Sequence, residues 1–442
     1  MKLAPFVSVA LAGAALSAPA AASADLRIWQ EEPAHPATDP DDVEERYFDL
    51  TAYIQPGYIW REDDDETERS VALPVTDDHF WVHRARLGFR TLLYPWLLLR
   101  LELETTPSAS LTDGYVDFRP MRELSVRIGQ YKVPFLRSAA FSESNTAFID
   151  PPLYLPATPD RSFLRYLDAR DIGVMLHGVV GDRDFGPAVS YGAGLFLGRG
   201  ANQTRDDDGV LMLAARVQGH ITGVPVGDGV ENDLARNERP RIGVGAGVLT
   251  NCDDREQFNR GFTVDAEFRY AGIYASAAFV RFKNGPAREN VVGQILGYDS
   301  DDACAPDPTS PLPDHVAWGA HVQAQYLLPP PVFPVDGQSL EVLVRWDVAQ
   351  PYEPPEGLLG GDTETAGYIA PSTYDVEADD PPDQWRLTFG VNWYPTDETR
   401  LRLGLNYQLR RESEHVLPAG SSGPTIVGVT NDILWLQLTV GL

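Results

Sequence analysis

The 442-residue chain predicts an all-β fold, a sixteen-stranded antiparallel transmembrane β-barrel. Three observations carry that expectation: about sixteen short segments with alternating apolar and polar residues, connections that are tight on one side and long and polar on the other, and a leader ahead of them. Met1 to Ala24 holds one positive charge, Lys2, an apolar stretch from Leu3 to Leu16, and the small residues Ala22, Ser23 and Ala24 before a cut. This is the pattern of a signal peptide, removed on export. The other strongly apolar run, Leu92 to Leu101, is broken by Pro95 and Arg100. It falls well short of the roughly 20 residues of a membrane helix, so strands must make any crossing.

With 36 Lys and Arg against 64 Asp and Glu, the formal charge is -28, which argues against a nucleic-acid partner. The two cysteines, Cys252 and Cys304, suit an exported chain without a disulfide framework. Residues 25–46, rich in proline and acid (Pro33, Pro36, Pro40, Asp41, Asp42), show no sustained period and read as a flexible periplasmic arm. The barrel is expected over 47–442. Its strands should begin near Tyr47, His79, Pro95, Ser110, Glu123, Arg170, Pro187, Gly209, Arg239, Gly261, Gly272, His315, Ser339, Gln384, Thr399 and Thr430.

Long loops are expected at Arg61 to Asp78, Pro134 to Ala169, Gly200 to Asp208, Asn251 to Arg260, Asn284 to Asp314, Gln350 to Asp383 and Arg411 to Val429, with a short second loop just before Ser110. Tight joints alternate with them at Tyr94-Pro95, Pro120 to Arg122, Asp182 to Gly186, Ala271-Gly272 and Pro395 to Glu398. Thr222 to Glu238 and Pro329 to Gln338 are longer than such turns require. The period of two assigns the faces. Phe262, Val264, Ala266 and Phe268 share one face against Thr263, Asp265, Glu267 and Arg269; Leu401, Leu403, Leu405, Tyr407 and Leu409 oppose Arg400, Arg402, Asn406, Gln408 and Arg410. Trp60, Trp81, Trp96, Trp318, Trp346, Trp385, Trp393 and Trp435 fall in or at the ends of strands, as interfacial girdles would have them. A β-sandwich core would also take tryptophan but would not produce the loop asymmetry. The last strand alternates Leu434, Leu436, Leu438, Val440 and Leu442 to the chain end.

Three segments carry a family resemblance: Leu124 to Phe135 (LSVRIGQYKVPF), Arg170 to Val174 (RDIGV) and Phe389 to Leu409 (FGVNWYPTDETRLRLGLNYQL). Together they resemble the phosphate-selective porin O and P family, over essentially all of 47–442. The resemblance implies a trimeric outer-membrane channel for small anions or other hydrophilic solutes, set in lipid and lipopolysaccharide, with no cofactor. It also implies a third extracellular loop that folds inward as the constriction, which would be Pro134 to Ala169. Phosphate-selective members carry lysines near the constriction. Here the lysines are Lys2, Lys132 and Lys283 alone, so a lysine cluster is absent and a less selective general pore stands beside the phosphate reading.

By parity the lumen wall should carry Arg84, Arg86, Arg90, Arg100, Arg127, Arg216, Arg241, Arg269, Arg345, Arg386, Arg400 and Arg402 against Glu102, Glu104, Asp117, Asp171, Asp265, Glu267, Glu341 and Asp347. Arginine suits weak, repeated anion contact because its fork offers several donors and stays charged. It also suits pairing with the opposed carboxylates, the more ordinary role. In the third loop, Arg137, Arg161 and Arg165 are candidate constriction residues; tying the loop to Glu102 and Glu104 is the equal alternative. Phe141, Phe148, Tyr154 and Phe163 are expected to anchor that loop. Lys132 sits on lipid parity, to snorkel or be turned inward. The acidic run Glu62 to Glu68 lacks calcium-loop spacing and reads as a solvated loop tip. Cys252 and Cys304 fall in loops on one side, bonded or not. His177 and His321 have lumen parity and no serine partner in a catalytic pattern, so no enzyme is expected. A receptor or adhesin barrel with little conductance is the remaining alternative.

Overall fold

Sixteen strands form the ring of this computed structural model: β1 Arg46–Arg61, β2 His79–Tyr94, β3 Leu97–Glu104, β4 Ser110–Met121, β5 Leu124–Lys132, β6 Arg170–Gly181, β7 Ala188–Phe196, β8 Met212–His220, β9 Arg241–Cys252, β10 Gln257–Tyr270, β11 Ile273–Glu289, β12 His315–Leu327, β13 Ser339–Glu353, β14 Gln384–Tyr394, β15 Leu401–Gly420 and β16 Ile433–Gly441. The structure describes residues 26–31, 46–61, 78–142, 144–155, 170–182, 186–204, 211–223, 230–252, 257–289, 303–306, 315–329, 332–353, 384–396, 399–420, 423–430 and 432–441. Each strand pairs antiparallel with the next. The ring closes where β16 meets β1, from Ile433 opposite Arg61 to Gly441 opposite Tyr53. Closure leaves no open edge, which is what lets a sheet cross lipid.

Burial is inverted relative to a soluble protein. Ile128, Val322 and Val248 are 60%, 55% and 53% exposed, while Asp117, Asp347 and Arg269 are at 0%. The faces assigned from the period of two in β10 and β15 are those observed: Phe262, Val264, Leu405 and Tyr407 point outward, and Thr263, Glu267, Arg402 and Asn406 are buried within. An apolar outer belt around a polar interior is stable only when lipid surrounds it. Trp60, Trp96, Trp346 and Trp385 lie exposed on that outer face. Trp81 and Trp435 do not. Trp435 is 7% exposed, and the two rings meet at 5.1 Å in a cluster with Ile59, Ile149 and Ile433. Their own parity puts them inside, so they correct the expectation that all eight tryptophans belong to girdles.

Several boundaries also differ. Much of the loop expected at Asn251 to Arg260 is instead strand, because β9 and β10 stay paired through Thr250–Arg260, Asn251–Asn259 and Cys252–Phe258. Part of the expected periplasmic arm, Leu26–Glu31, is a strand alongside the start of β1. Ala303–Pro306 pairs with the end of β11, and Gly423–Thr430 with the long end of β15. The leader, the Glu62 to Glu68 run, Arg161, Phe163, Arg165 and the side chains of Cys252 and Cys304 lie outside the described residues.

Local chemistry explains two irregularities. Pro56 lacks an N–H for the ladder, and the β1–β2 register skips between Gln55 and Pro56. At this bulge His83 and Arg84, consecutive in sequence, both reach inward, to Gln437 and Glu104. The β10–β11 joint has positive φ at both Ala271 and Gly272, 51° and 87°, as a two-residue hairpin turn needs.

The outer belt makes a direct prediction. Val264→Arg, in the middle of β10, should lower the unfolding free energy in lipid vesicles by about 2–4 kcal/mol. An unchanged denaturant midpoint would mean that this face does not meet lipid.

Candidate functional site

The interior is divided unevenly by the chain after β5. From Val133 to Leu155 it runs against lumen-facing side chains of β10 to β15. Arg137 leads: its guanidinium pairs with Glu267, donates to the Tyr274 hydroxyl at 3.1 Å and lies over the Phe141 ring at 4.6 Å. Farther along, Arg402 donates to the Thr146 carbonyl, Asn392 donates to the Ala147 carbonyl at 2.9 Å, and the Ile149 N–H donates to Asn406 at 3.2 Å. Arg386 pairs with Asp150 and, at 2.8 Å, with Asp347. Arg345 donates to the Asp150 carbonyl at 2.8 Å and covers the Phe148 ring at 4.4 Å. The Leu153 N–H donates to Asp347 at 2.7 Å, and the Tyr154 hydroxyl shares a 2.7 Å hydrogen bond with His321.

These contacts give several predicted residues a structural place. Arg137 is 8% exposed and tied to the wall, although its carboxylate is Glu267 rather than the expected Glu102 or Glu104. Arg345, Arg386 and Arg402 are all but enclosed, at 2% exposure each, and hold the loop. Arg269 pairs with Glu267 at 3.2 Å. Phe141, Phe148 and Tyr154 are buried anchors. Such pairs hold because both partners are desolvated together and their remaining donors reach carbonyls.

The opposite wall, β3 to β8, keeps a cavity of about 440 Å³ between itself and the loop, bordered by Arg100, Arg127, Lys132, Arg170, Arg216 and His177 together with Glu102, Asp113, Tyr115 and Tyr131. Arg100 bonds Glu102 at 2.9 Å and Asp113 at 3.2 Å. Arg170 bonds Asp113 at 2.8 Å. Arg127 and His177 each meet Asp117 at 2.8 Å, and the Arg127 guanidinium rests 4.3 Å from the Tyr115 ring centre and 5.5 Å from Tyr131. Arg216 grips Asp265 through two 2.7 Å bonds. Exposure decides what a passing solute meets. The side chains of Asp117, Glu102 and Asp113 are 0%, 7% and 8% exposed, whereas those of Arg127 and Arg100 are 20% and 32%. The carboxylates are the buried members of these pairs and the arginine side chains the more exposed ones.

Of the other expected wall cations, Arg86 is buried with Glu104 at 2.8 Å and Glu102 at 3.3 Å, and Arg84 meets Glu104 at 3.6 Å. Arg90 bonds Asp49 at 3.3 Å. Arg400 precedes β15, its carbonyl accepting from the Gly441 N–H at 2.8 Å. Sequence reasoning missed Arg170 and Asp113. Arg170 carries the same parity as the exposed Val174 and Leu176 and so reads as lipid-facing. Lys132 has the same false parity, yet it borders the cavity and donates to the Phe141 carbonyl. Lys132 is the ladder partner of Arg170, and both sit at adjoining strand ends, where the neighbouring loop surrounds a side chain in place of lipid.

The pairings that hold the loop make a prediction. Arg386→Leu leaves Asp150 and Asp347 short of a buried cation, at a cost on the order of 3 kcal/mol. Thermal unfolding should shift downward, and limited proteolysis should reach residues near Asp150; resistance equal to the unaltered protein would refute this anchoring.

No family model matches the chain, and no curated protein matches it. Solved structures do. The anion-selective porin from Comamonas acidovorans superposes with a TM-score of 0.51 at 12% identity, over 90% of this chain and 100% of that one. An OmpF from Salmonella typhi, in complex with daunomycin, gives 0.49 at 12% over 91% and 99%. Outer-membrane expressed OmpT of Vibrio cholerae gives 0.47 at 11% over 90% and 98%. At these identities the likeness to the Comamonas protein is one of fold: the chain has the sixteen-stranded barrel architecture of a porin.

Proposed function

We propose that this chain is a bacterial outer-membrane porin that passes small hydrophilic solutes passively and prefers anions, phosphate among them. The barrel, its apolar belt and its water-accessible cavity support the pore. The single observation that carries the anion preference is the exposure asymmetry at the opening, where Arg100 and Arg127 are the more exposed partners and Glu102, Asp113 and Asp117 the buried ones. Weak, repeated contact with guanidinium edges lets an anion enter and leave. The chemistry is transport without catalysis or cofactor, in lipid and lipopolysaccharide, and the unit is a homotrimer of the phosphate-selective O and P type. Arg137 then serves the constriction by fixing the loop, with Arg161 and Arg165 as its solute-facing candidates.

Reversal potential and single-channel conductance in planar bilayers test this, first under a chloride gradient and then under phosphate. The unaltered protein should favour chloride over potassium, and Arg100→Gln combined with Lys132→Gln should move the ratio toward unity. Cation selectivity in the unaltered protein would leave only a general pore. Absence of any current would favour a receptor barrel instead.

A further inference from the structure

The connection between β8 and β9 is longer than a barrel turn requires, and its described part does not project away from the wall. Glu231, Asn232, Asp233 and Asn237 are 6%, 5%, 1% and 5% exposed. The Glu231 N–H donates to the Asn145 carbonyl at 2.9 Å, and its buried carboxylate lies beside the Ala147 backbone. Asn232 donates to the Tyr394 hydroxyl at 3.4 Å, and its carbonyl accepts from Arg269 at 3.1 Å. The turn is itself braced. Asp233 accepts from the Gly272 N–H at 2.7 Å and from the Asn237 side chain at 2.6 Å, while Arg236 donates to the Leu328 carbonyl at 2.8 Å.

The topology makes this contact unusual. The segment leaves the same end of the barrel as Tyr394 and Gly272, which border the tight joints, whereas the loop it meets departs from the opposite end, after β5. The two therefore reach toward each other through the interior and join between Asn145 and Glu231. We infer that the β8–β9 turn is a latch that grips the tip of the third loop from the periplasmic end and thereby fixes the width of the opening. This rests on the pore reading above. With the latch closed, the loop is held toward β10–β15 from both ends, and the free passage stays against β3–β8. Its release lets the tip fluctuate, since a tether at only one end leaves more conformations accessible.

A cysteine pair tests the contact in a Cys252→Ser, Cys304→Ser background. Asn145→Cys with Glu231→Cys should crosslink on oxidation of the folded protein, because the two backbones already share a hydrogen bond. Oxidised, it should conduct as the unaltered pore does; reduced, its single-channel conductance should change by about twofold, with added open-channel noise. Asp233→Ala, which loosens the brace without touching the third loop, should move in the same direction. Failure to crosslink, or identical currents in the two redox states, overturns the latch while leaving the pore reading intact. An unaltered protein with no current overturns the pore reading itself.

Discussion

Every backbone N–H and C=O in contact with hydrocarbon must find its partner within the protein, and a closed ladder is how strands meet that demand. The pairing of β16 with β1 is therefore the contact on which the rest depends. Once the ring is shut, each strand has one face in lipid and the other enclosed. Charged and amide side chains that would be unwelcome in a soluble core then become the natural filling. The enclosed face is narrow enough for opposed groups to neutralise one another and wide enough to admit a returning loop.

The interior charges are organised by depth as much as by sign. Where the third loop is present, arginine is spent on its carbonyls and carboxylates, as at Arg345, Arg386 and Arg402. Where it is absent, arginine pairs with buried acid and is the more exposed partner, as at Arg100 and Arg127. The same residue type thus has a mechanical part on one side and an electrostatic part on the other. The formal charge of -28 does not describe this surface, because a net sum has no position.

Much of the ring was legible because the period of two leaves an unambiguous record when one face must be apolar. Strand starts at His79, Ser110, Arg170, His315, Ser339 and Gln384 coincide with the expected ones, and Arg127, Arg269 and Arg386, given lumen parity by counting, pair with Asp117, Glu267 and Asp347. Counting fails where the backbone breaks step. The skip at Pro56 sends two consecutive residues inward. Residue type alone points Trp81 and Trp435 to the interface, although their own alternation says otherwise. The partner of Arg137 was beyond sequence reasoning, since Glu267 lies 130 residues away and only the path of the loop brings them together. Arg170 escaped for the opposite reason: near a strand end, where neighbouring loops replace lipid, parity stops reporting what surrounds a side chain.

The lopsided filling of the ring has a consequence for how such a sequence can diverge. Substitutions along β10 to β15 disturb a dense network in which neighbours are coupled, so their effects combine unpredictably and are tolerated only in sets. On β3 to β8 the acids paired with the more exposed Arg100 and Arg127 hold further partners, Arg170 for Asp113 and His177 for Asp117, so either arginine can be exchanged at less mechanical penalty. Preference for one solute over another can thus drift along one arc of the cylinder while the opposite arc conserves its shape.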